Sequence, residues 1–161
     1  RFMSKKVLFF GRIKCRISLK IYEFLKKKFD TVTFIKSKRI GEKLNENKSI
    51  FKKNYDYIFC FRSFYILSKI IDRVKFYAIN FHPSTPKYRG AGGVNYAIYK
   101  DKLFGCTAHL MNNKIDDGKI IDCQYFKINK KDNVEKILNK TYSLQLKQVK
   151  RIINNLVINK K

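Results

Sequence analysis

Three short segments carry the polar residues whose types can do chemistry: Ile79-Asn80-Phe81-His82-Pro83-Ser84, then Pro86-Lys87-Tyr88-Arg89-Gly90, then Gly105-Cys106-Thr107-Ala108-His109 running on to Lys114-Ile115-Asp116-Asp117-Gly118-Lys119-Ile120. An amide and an imidazole at the end of a strand can aim hydrogen-bond donors at one oxygen. A carbonyl under nucleophilic attack needs such donors as negative charge builds on it. A carboxylate brought close to them can orient the imidazole and take the proton that the nucleophile loses. Each segment alone has a plainer reading, since a histidine after a strand can cap a loop and Asp-Asp-Gly is a turn. Ser84 does not stand in a nucleophile-elbow context, which leaves a serine hydrolase without support. His109 lies in a strand-like stretch where side chains alternate, and it reads as a packed, sheet-face histidine outside the chemistry.

The elements that must position these residues follow from hydrophobic period. Lys6 to Phe10 reads as a buried strand ending at Gly11, and Ile17, Ile21, Phe24 and Leu25 have helical spacing in the stretch to Lys28. Thr31 to Ile35 is a second strand, and the polar stretch from Gly41 to Lys53 is assigned to a helix. Tyr55 to Phe61 is a third strand, followed by helical apolar spacing over Ile66 to Ile71; Phe76 to Asn80 is a fourth. Strands alternating with helical segments predict an α/β fold with a doubly wound, mostly parallel, Rossmann-like sheet, whose strand ends gather on one edge.

Two prolines and three glycines in residues 81–93 predict a loop of prescribed geometry. Val94 to Asp101 resumes as a short helix, Cys106 to Met111 and Ile120 to Ile128 as strands, and Asn112 to Gly118 as a tight loop between them. Asp132 with Glu135 has the form of a capping box. It opens a long helix with an apolar face of Val134, Ile137, Leu138, Thr141, Leu144, Val149, Ile152, Ile153 and Leu156. With 161 residues and no internal repeat, one domain spanning 1–161 is expected, loose only in its last few residues.

Composition narrows the function classes. The four cysteines, Cys15, Cys60, Cys106 and Cys123, form no Cys-x-x-Cys pair and have no histidine at ligand spacing, so no metal site is expected. They read as free thiols in a reducing compartment, which points to the cytoplasm. No apolar run approaches the roughly 20 residues that cross a bilayer. The net charge of +25 would suit a polyanion partner, but 29 of the 37 basic residues are lysine and eight are arginine. Phosphate and base recognition favours arginine forks. A solvated lysine-rich surface is therefore the first reading and a nucleic-acid surface the second.

Taken together and in order, the three segments resemble the folate-dependent formyltransferase family, which includes the glycinamide ribonucleotide, methionyl-tRNA and amino-sugar formyltransferases. The resemblance runs from Tyr55 to about Ile128. It implies a doubly wound catalytic domain that takes 10-formyltetrahydrofolate as formyl donor, with no metal. By position Asn80, His82 and Asp116 match the family's asparagine, histidine and aspartate, and would be catalytic; Asp116 is preferred to Asp117 because the family's aspartate lies two residues before the glycine. Phe61 to Leu67 looks like the family's pterin-side segment, with Asn112 to Asp117 as the opposite wall. That implies folate-binding roles for Phe61, Phe64, Tyr65, Leu67, Ile115 and Asp117.

Departures from the family bear on the acceptor. One residue, Thr85, separates Ser84 from Pro86 where many relatives have two leucines, and the first strand ends in Gly11-Arg12 without a glycine- and serine-rich phosphate loop. No second domain is read after the catalytic one, unlike the tRNA-formylating relatives. An amino sugar, carried on a nucleotide, is therefore the expected acceptor. A minimal methionyl-tRNA formyltransferase is the alternative, with tRNA as partner, and a non-catalytic basic nucleic-acid-binding module on the same fold is a third reading.

Overall fold

The computed structural model describes residues 3–158, so the end of the expected loose tail, residues 159–161, lies outside the described residues. Its strands are β1 (Met3–Arg12), β2 (Phe29–Ser37), β3 (Tyr57–Phe61), β4 (Tyr77–His82), β5 (Leu103–Leu110) and β6 (Ile120–Lys127). The helices are α1 (Arg16–Lys26), α2 (Gly93–Lys100) and α3 (Val134–Ile158). The strands form one sheet in the order β2-β1-β3-β4-β5-β6. The first four are parallel neighbours, and β5 and β6 continue the sheet antiparallel beyond β4.

The parallel strands are continuous apolar runs because both of their faces are covered. Val7 to Phe10 and Tyr57 to Phe61 are all buried. Within each run the pleat sorts side chains by parity. Val7, Phe9, Tyr57, Phe59, Phe61, Ile79 and Phe81 pack with Ile21 and Leu25 of α1 and with Val149, Ile152 and Ile153 of α3. Leu8, Phe10, Ile58, Cys60 and Ala78 face the other way, against Phe51, Leu67, Ile70 and Ile71. One face of the sheet is thus covered by helices and the other by connections.

This second face departs from expectation. The helices predicted over Gly41 to Lys53 and Ile66 to Ile71 do not form; only short 3-10 turns occur, at Ser49–Lys52 and Ile71–Arg73. Carboxylates take the backbone donors that a helix would have used. The Glu46 carboxylate accepts from the N–H groups of Ser68 at 2.8 Å and Ile70 at 2.9 Å, and Glu42 accepts from Lys38 N–H at 2.6 Å and Tyr65 Oη–H at 2.9 Å. Leu67, Ile70 and Ile71 are buried while Ile66 is exposed, a spacing that imitates a helical stripe without a helix beneath it.

The long helix forms, but its start and one part of its face differ. Asn133 caps it, its Oδ1 accepting from Lys136 N–H at 2.8 Å. Asp132 is occupied elsewhere, by Asn129 N–H and by the ammonium groups of Lys136 and Lys140. Mid-helix, Leu144 is only half-buried while Gln145 and Gln148 are fully buried. Gln145 donates to the Phe81 carbonyl at 3.0 Å, and Gln148 to the Asp122 carboxylate at 2.8 Å. The helix therefore grips β4 beside Asn80 and His82 through an amide that a purely apolar pattern overlooks.

Candidate active site

The parity that sends Ile79 and Phe81 into the helix-covered core turns Asn80 and His82 to the opposite face. There the antiparallel register sets Asn80 opposite His109 and His82 opposite Thr107. The loop after β5 brings Asp116 back over them. Asp116 has φ +49°, a left-handed conformation that aspartate tolerates better than most residues. Two residues on, the chain presses against β5: a Cβ at Gly118 would sit 1.5 Å from the Leu110 carbonyl oxygen. Only glycine closes this loop, and Leu110 N–H donates to the Lys119 carbonyl at 2.8 Å across it.

Three donors converge on the Asp116 carboxylate, and a fourth nitrogen stands near it. Asn80 Nδ2 donates to Oδ1 at 2.9 Å, and His109 Nε2 stands 3.3 Å from the same oxygen. Gly90 N–H donates to Oδ2 at 2.8 Å, with His82 Nδ1 3.4 Å away. Burial pushes the Asp116 carboxyl up, but the His109 hydrogen bond, the charge of His82 and the Gly90 N–H outweigh it, and the group is held below the usual carboxylate range. Burial likewise pushes His109 down, and the Asp116 hydrogen bond and the Leu110 carbonyl outweigh that too, so its imidazolium persists above the ordinary histidine value.

The two histidines present different nitrogens. His82 Nε2 lies 2.7 Å from the Tyr88 carbonyl, which can only accept, so Nε2 carries a hydrogen. Its Nδ1, at 3.4 Å from Asp116, is too far for a well-formed hydrogen bond and is the nitrogen left for a ligand. His109 Nδ1 faces the Leu110 carbonyl at 3.0 Å, which directs Nε2 at Asp116 and Asn80. The segment that holds His82 is itself tied down: Tyr88 Oη–H donates to Asp101 at 2.7 Å and Lys87 Nζ pairs with the same carboxylate at 2.5 Å.

Two cavities open on this cluster. The smaller, about 280 Å³, is lined by Pro86, Arg89, Asp117 and Lys119 among others. The larger, about 520 Å³, runs past Asn80, Phe64, Tyr65, Leu67, Met111 and Ile115 toward Arg12, Arg62 and Tyr142. His82, His109 and Asp116 line both, so they form the partition between the two cavities.

Of the residues singled out from sequence, Asn80, His82 and Asp116 are thus brought together, and Phe64, Tyr65, Leu67 and Ile115 line the larger cavity. Phe61 does not reach it: its parity matches Phe59, and it is buried in the helix-covered core. Asp117 lines the smaller cavity, paired with Arg89. His109, read from sequence as a packed histidine, is buried and stands inside the cluster. The strand pairing with Asn80 would have placed it there, but pairing is not visible in one strand's alternation. Among the described residues no group of three or more histidine, cysteine or acidic side chains is placed to hold a metal, and no helix is long and apolar enough to cross a membrane.

Comparison with known proteins agrees with this architecture. Residues 24–153 match the family model of the formyl transferases. Methionyl-tRNA formyltransferase of Ehrlichia ruminantium is 33% identical over 93 residues, covering 56% of this chain and 31% of that protein. The enzyme of the same name from Ehrlichia chaffeensis is 31% identical over 114 residues, covering 69% and 38%. The chain spans about a third of the length of these curated relatives. Among solved structures, a 4-N formyltransferase from Francisella tularensis superposes with a TM-score of 0.81 at 21% identity, over 98% of this chain and 72% of that one. An N-formyltransferase from Helicobacter canadensis, in complex with folinic acid and dTDP-3-aminofucose, superposes with a TM-score of 0.79 at 23% identity, over 96% and 65%. With residues 24–153 matched by that family model on a sheet of this topology, this chain is a member of the formyl transferase family.

Proposed function

We propose that this chain moves a formyl group from 10-formyltetrahydrofolate to the primary amine of an amino sugar carried on a nucleotide. The observation that carries this reading is the partition formed by His82, His109 and Asp116 between two cavities, which lets two substrates meet across one polar cluster. The larger cavity takes the folate. Phe64, Tyr65, Leu67 and Ile115 supply walls for a flat heterocycle, and the main chain around Leu67 supplies polar groups for its edge. Tyr65 N–H is already taken by Ser63 Oγ at 3.2 Å, so that pairing falls to its neighbours. The smaller cavity, with Arg89, Asp117 and Lys119 at its mouth, takes the amine.

The folate brings a formyl carbon bonded to nitrogen, and the chain supplies the rest. Asn80 Nδ2–H turns toward the formyl oxygen and stabilises the charge that develops there, contributing on the order of 10² to 10³ in rate, and His82 presents its Nδ1 to the same reacting centre. Asp116 takes the proton lost by the attacking amine, directly or through water, and returns it to the departing folate nitrogen. His109 and Gly90 N–H keep Asp116 ionised and in place.

The test is to incubate the protein with 10-formyltetrahydrofolate and a panel of amines while following folate absorbance. Turnover of a nucleotide-linked amino sugar is expected. A second reading, methionyl-tRNA as acceptor, is favoured by the identity to methionyl-tRNA formyltransferases and by the +25 charge. Turnover of methionyl-tRNA with no sugar active, and with affinity falling steeply as salt rises, would establish that reading in place of the first. Nucleic-acid binding that survives His82→Ala, with no formyl transfer by the parent, would leave only a binding module.

A further inference from the structure

The larger cavity extends well past the polar cluster, and its far end is built from arginines. Arg12 ends β1 and Arg62 directly follows β3. These are the two strands between which the chain reverses its direction across the sheet, running outward to β2 and then back to β3 on the other side of β1. Ligands of open α/β sheets collect in the crevice at such a reversal.

The two side chains are held in place without being neutralised. The Arg12 guanidinium stacks on the Phe64 ring at 3.8 Å, and that of Arg62 on the Tyr142 ring at 3.8 Å. Among the described residues neither pairs with a carboxylate, whereas Arg89 pairs with Asp117 and Arg151 with Asp122. Arg12 Nε is buried and has no hydrogen-bond partner, and the contact of Arg62 Nη1 with Cys15 Sγ, at 3.5 Å, is a weak one. Arg62 also sits at φ +53°, a conformation that a side chain of this size adopts at some cost. Burial and then the nearby charge of Arg62 push the Arg12 guanidinium down from its ordinary value, so the pair is an uncompensated concentration of positive charge. A guanidinium stacked on its face keeps its edge of N–H donors free, and that edge matches the paired oxygens of a carboxylate or phosphate.

We propose that Arg12 and Arg62 form an anion-binding subsite that holds the carboxylate or phosphate end of a substrate whose reacting end lies at Asn80, His82 and Asp116. The inference rests on the formyl-transfer reading for its second half only. Both ends line one continuous cavity. Two sources share the required chemistry: the glutamate carboxylates of the folate and a phosphate of the amine acceptor.

Titration of inorganic phosphate into the full chain, followed through the arginine Nε–H resonances by NMR, tests the site directly. Saturable shifts are expected at Arg12 and Arg62, and Arg62→Gln should weaken them by about tenfold, the usual scale for loss of a charge-assisted contact. In turnover assays Arg12→Gln and Arg62→Gln should each raise one KM by about tenfold while kcat stays within about threefold. A raised folate KM identifies the carboxylate source and a raised acceptor KM the phosphate source. Absence of saturable phosphate shifts in the parent, or both KM values unchanged in both variants, overturns the proposal. A parent without formyl transfer removes the function proposed above, and the phosphate titration then still decides whether the subsite exists.

Discussion

The two faces of the sheet solve the same problem by different means. On one, Phe9, Phe59, Phe61, Ile79 and Phe81 meet the apolar stripes of α1 and α3, and apolar burial, with the Gln145 amide on the Phe81 carbonyl beside it, holds the layers together. On the other, irregular connections cover Leu8, Phe10, Ile58 and Cys60, and their backbone donors end on carboxylates such as Glu46 and Glu42. A helix satisfies its own backbone and leaves no room for a ligand. A connection held by a few carboxylates leaves gaps, and both cavities open on that face.

Substitutions can break this contrast. Asp116→Ala removes the proposed proton acceptor and leaves the donors of Asn80, His109 and Gly90 without their partner, so kcat should fall by about 10³-fold or more while the protein stays folded. Asp117→Ala, which among the described residues loses ion pairs with Arg89 and Lys114, should change kcat less than about tenfold. Phe59→Ala, on the helix-covered face, should lower unfolding free energy by about 3–5 kcal/mol in a denaturant melt, with kcat per folded molecule retained. Glu46→Ala, on the connection-covered face, leaves the N–H groups of Ser68 and Ile70 unmet and should cost about 1–3 kcal/mol. If Glu46→Ala proved as costly as Phe59→Ala, the face held by carboxylates would be as strong a structural layer as the packed one.

The same contrast explains what could be read from sequence. Strands β1, β3 and β4 and helix α3 were legible because burial on both faces, or along one stripe, leaves a period in the residue types. The polar residues of the site were legible as types at a strand end, and a family resemblance chose Asp116 over Asp117. The connections were not legible, because Leu67, Ile70 and Ile71 have helical spacing while their backbone is satisfied by Glu46, far away in sequence. Phe61 lies apart from the larger cavity for a related reason: its parity with Phe59 turns the ring into the helix-covered core. His109 required knowledge of which strand lies beside β4.

The charge state of the site gives a pH test on the ligand-bearing face. His109 is raised, so its contribution is full below about pH 6.5, the ordinary histidine value, and is lost as pH rises through its folded-state value. Asp116 is lowered, so its contribution is full above about pH 4 and is lost as pH falls through its own folded-state value. The pair should therefore contribute most between about pH 4 and 6.5, which melting temperatures across that range would reveal. In His109→Gln the decline above that window should shrink, while the acid limb, which belongs largely to Asp116, persists. An unchanged profile in that variant would mean that His109 takes no part in holding the carboxylate.

The smallest effect concerns the helix-covered face, where the structure moves a cap by one residue. Asn133 Oδ1 accepts from Lys136 N–H, so Asn133→Ala should cost about 1 kcal/mol, the usual loss when a capping acceptor is removed. Glu135 would complete a capping box only if Asp132 were the cap, and Asp132 is instead held by Asn129 N–H, Lys136 and Lys140. Glu135→Gln should therefore fall within about 0.5 kcal/mol of the parent, the range of surface substitutions away from such features. Denaturant melts of the two variants discriminate cleanly: a larger loss for Glu135→Gln than for Asn133→Ala would return the cap to Asp132. Because Gln145 on the same helix donates to the Phe81 carbonyl between Asn80 and His82, such a shift would also re-aim the strand end that carries the site.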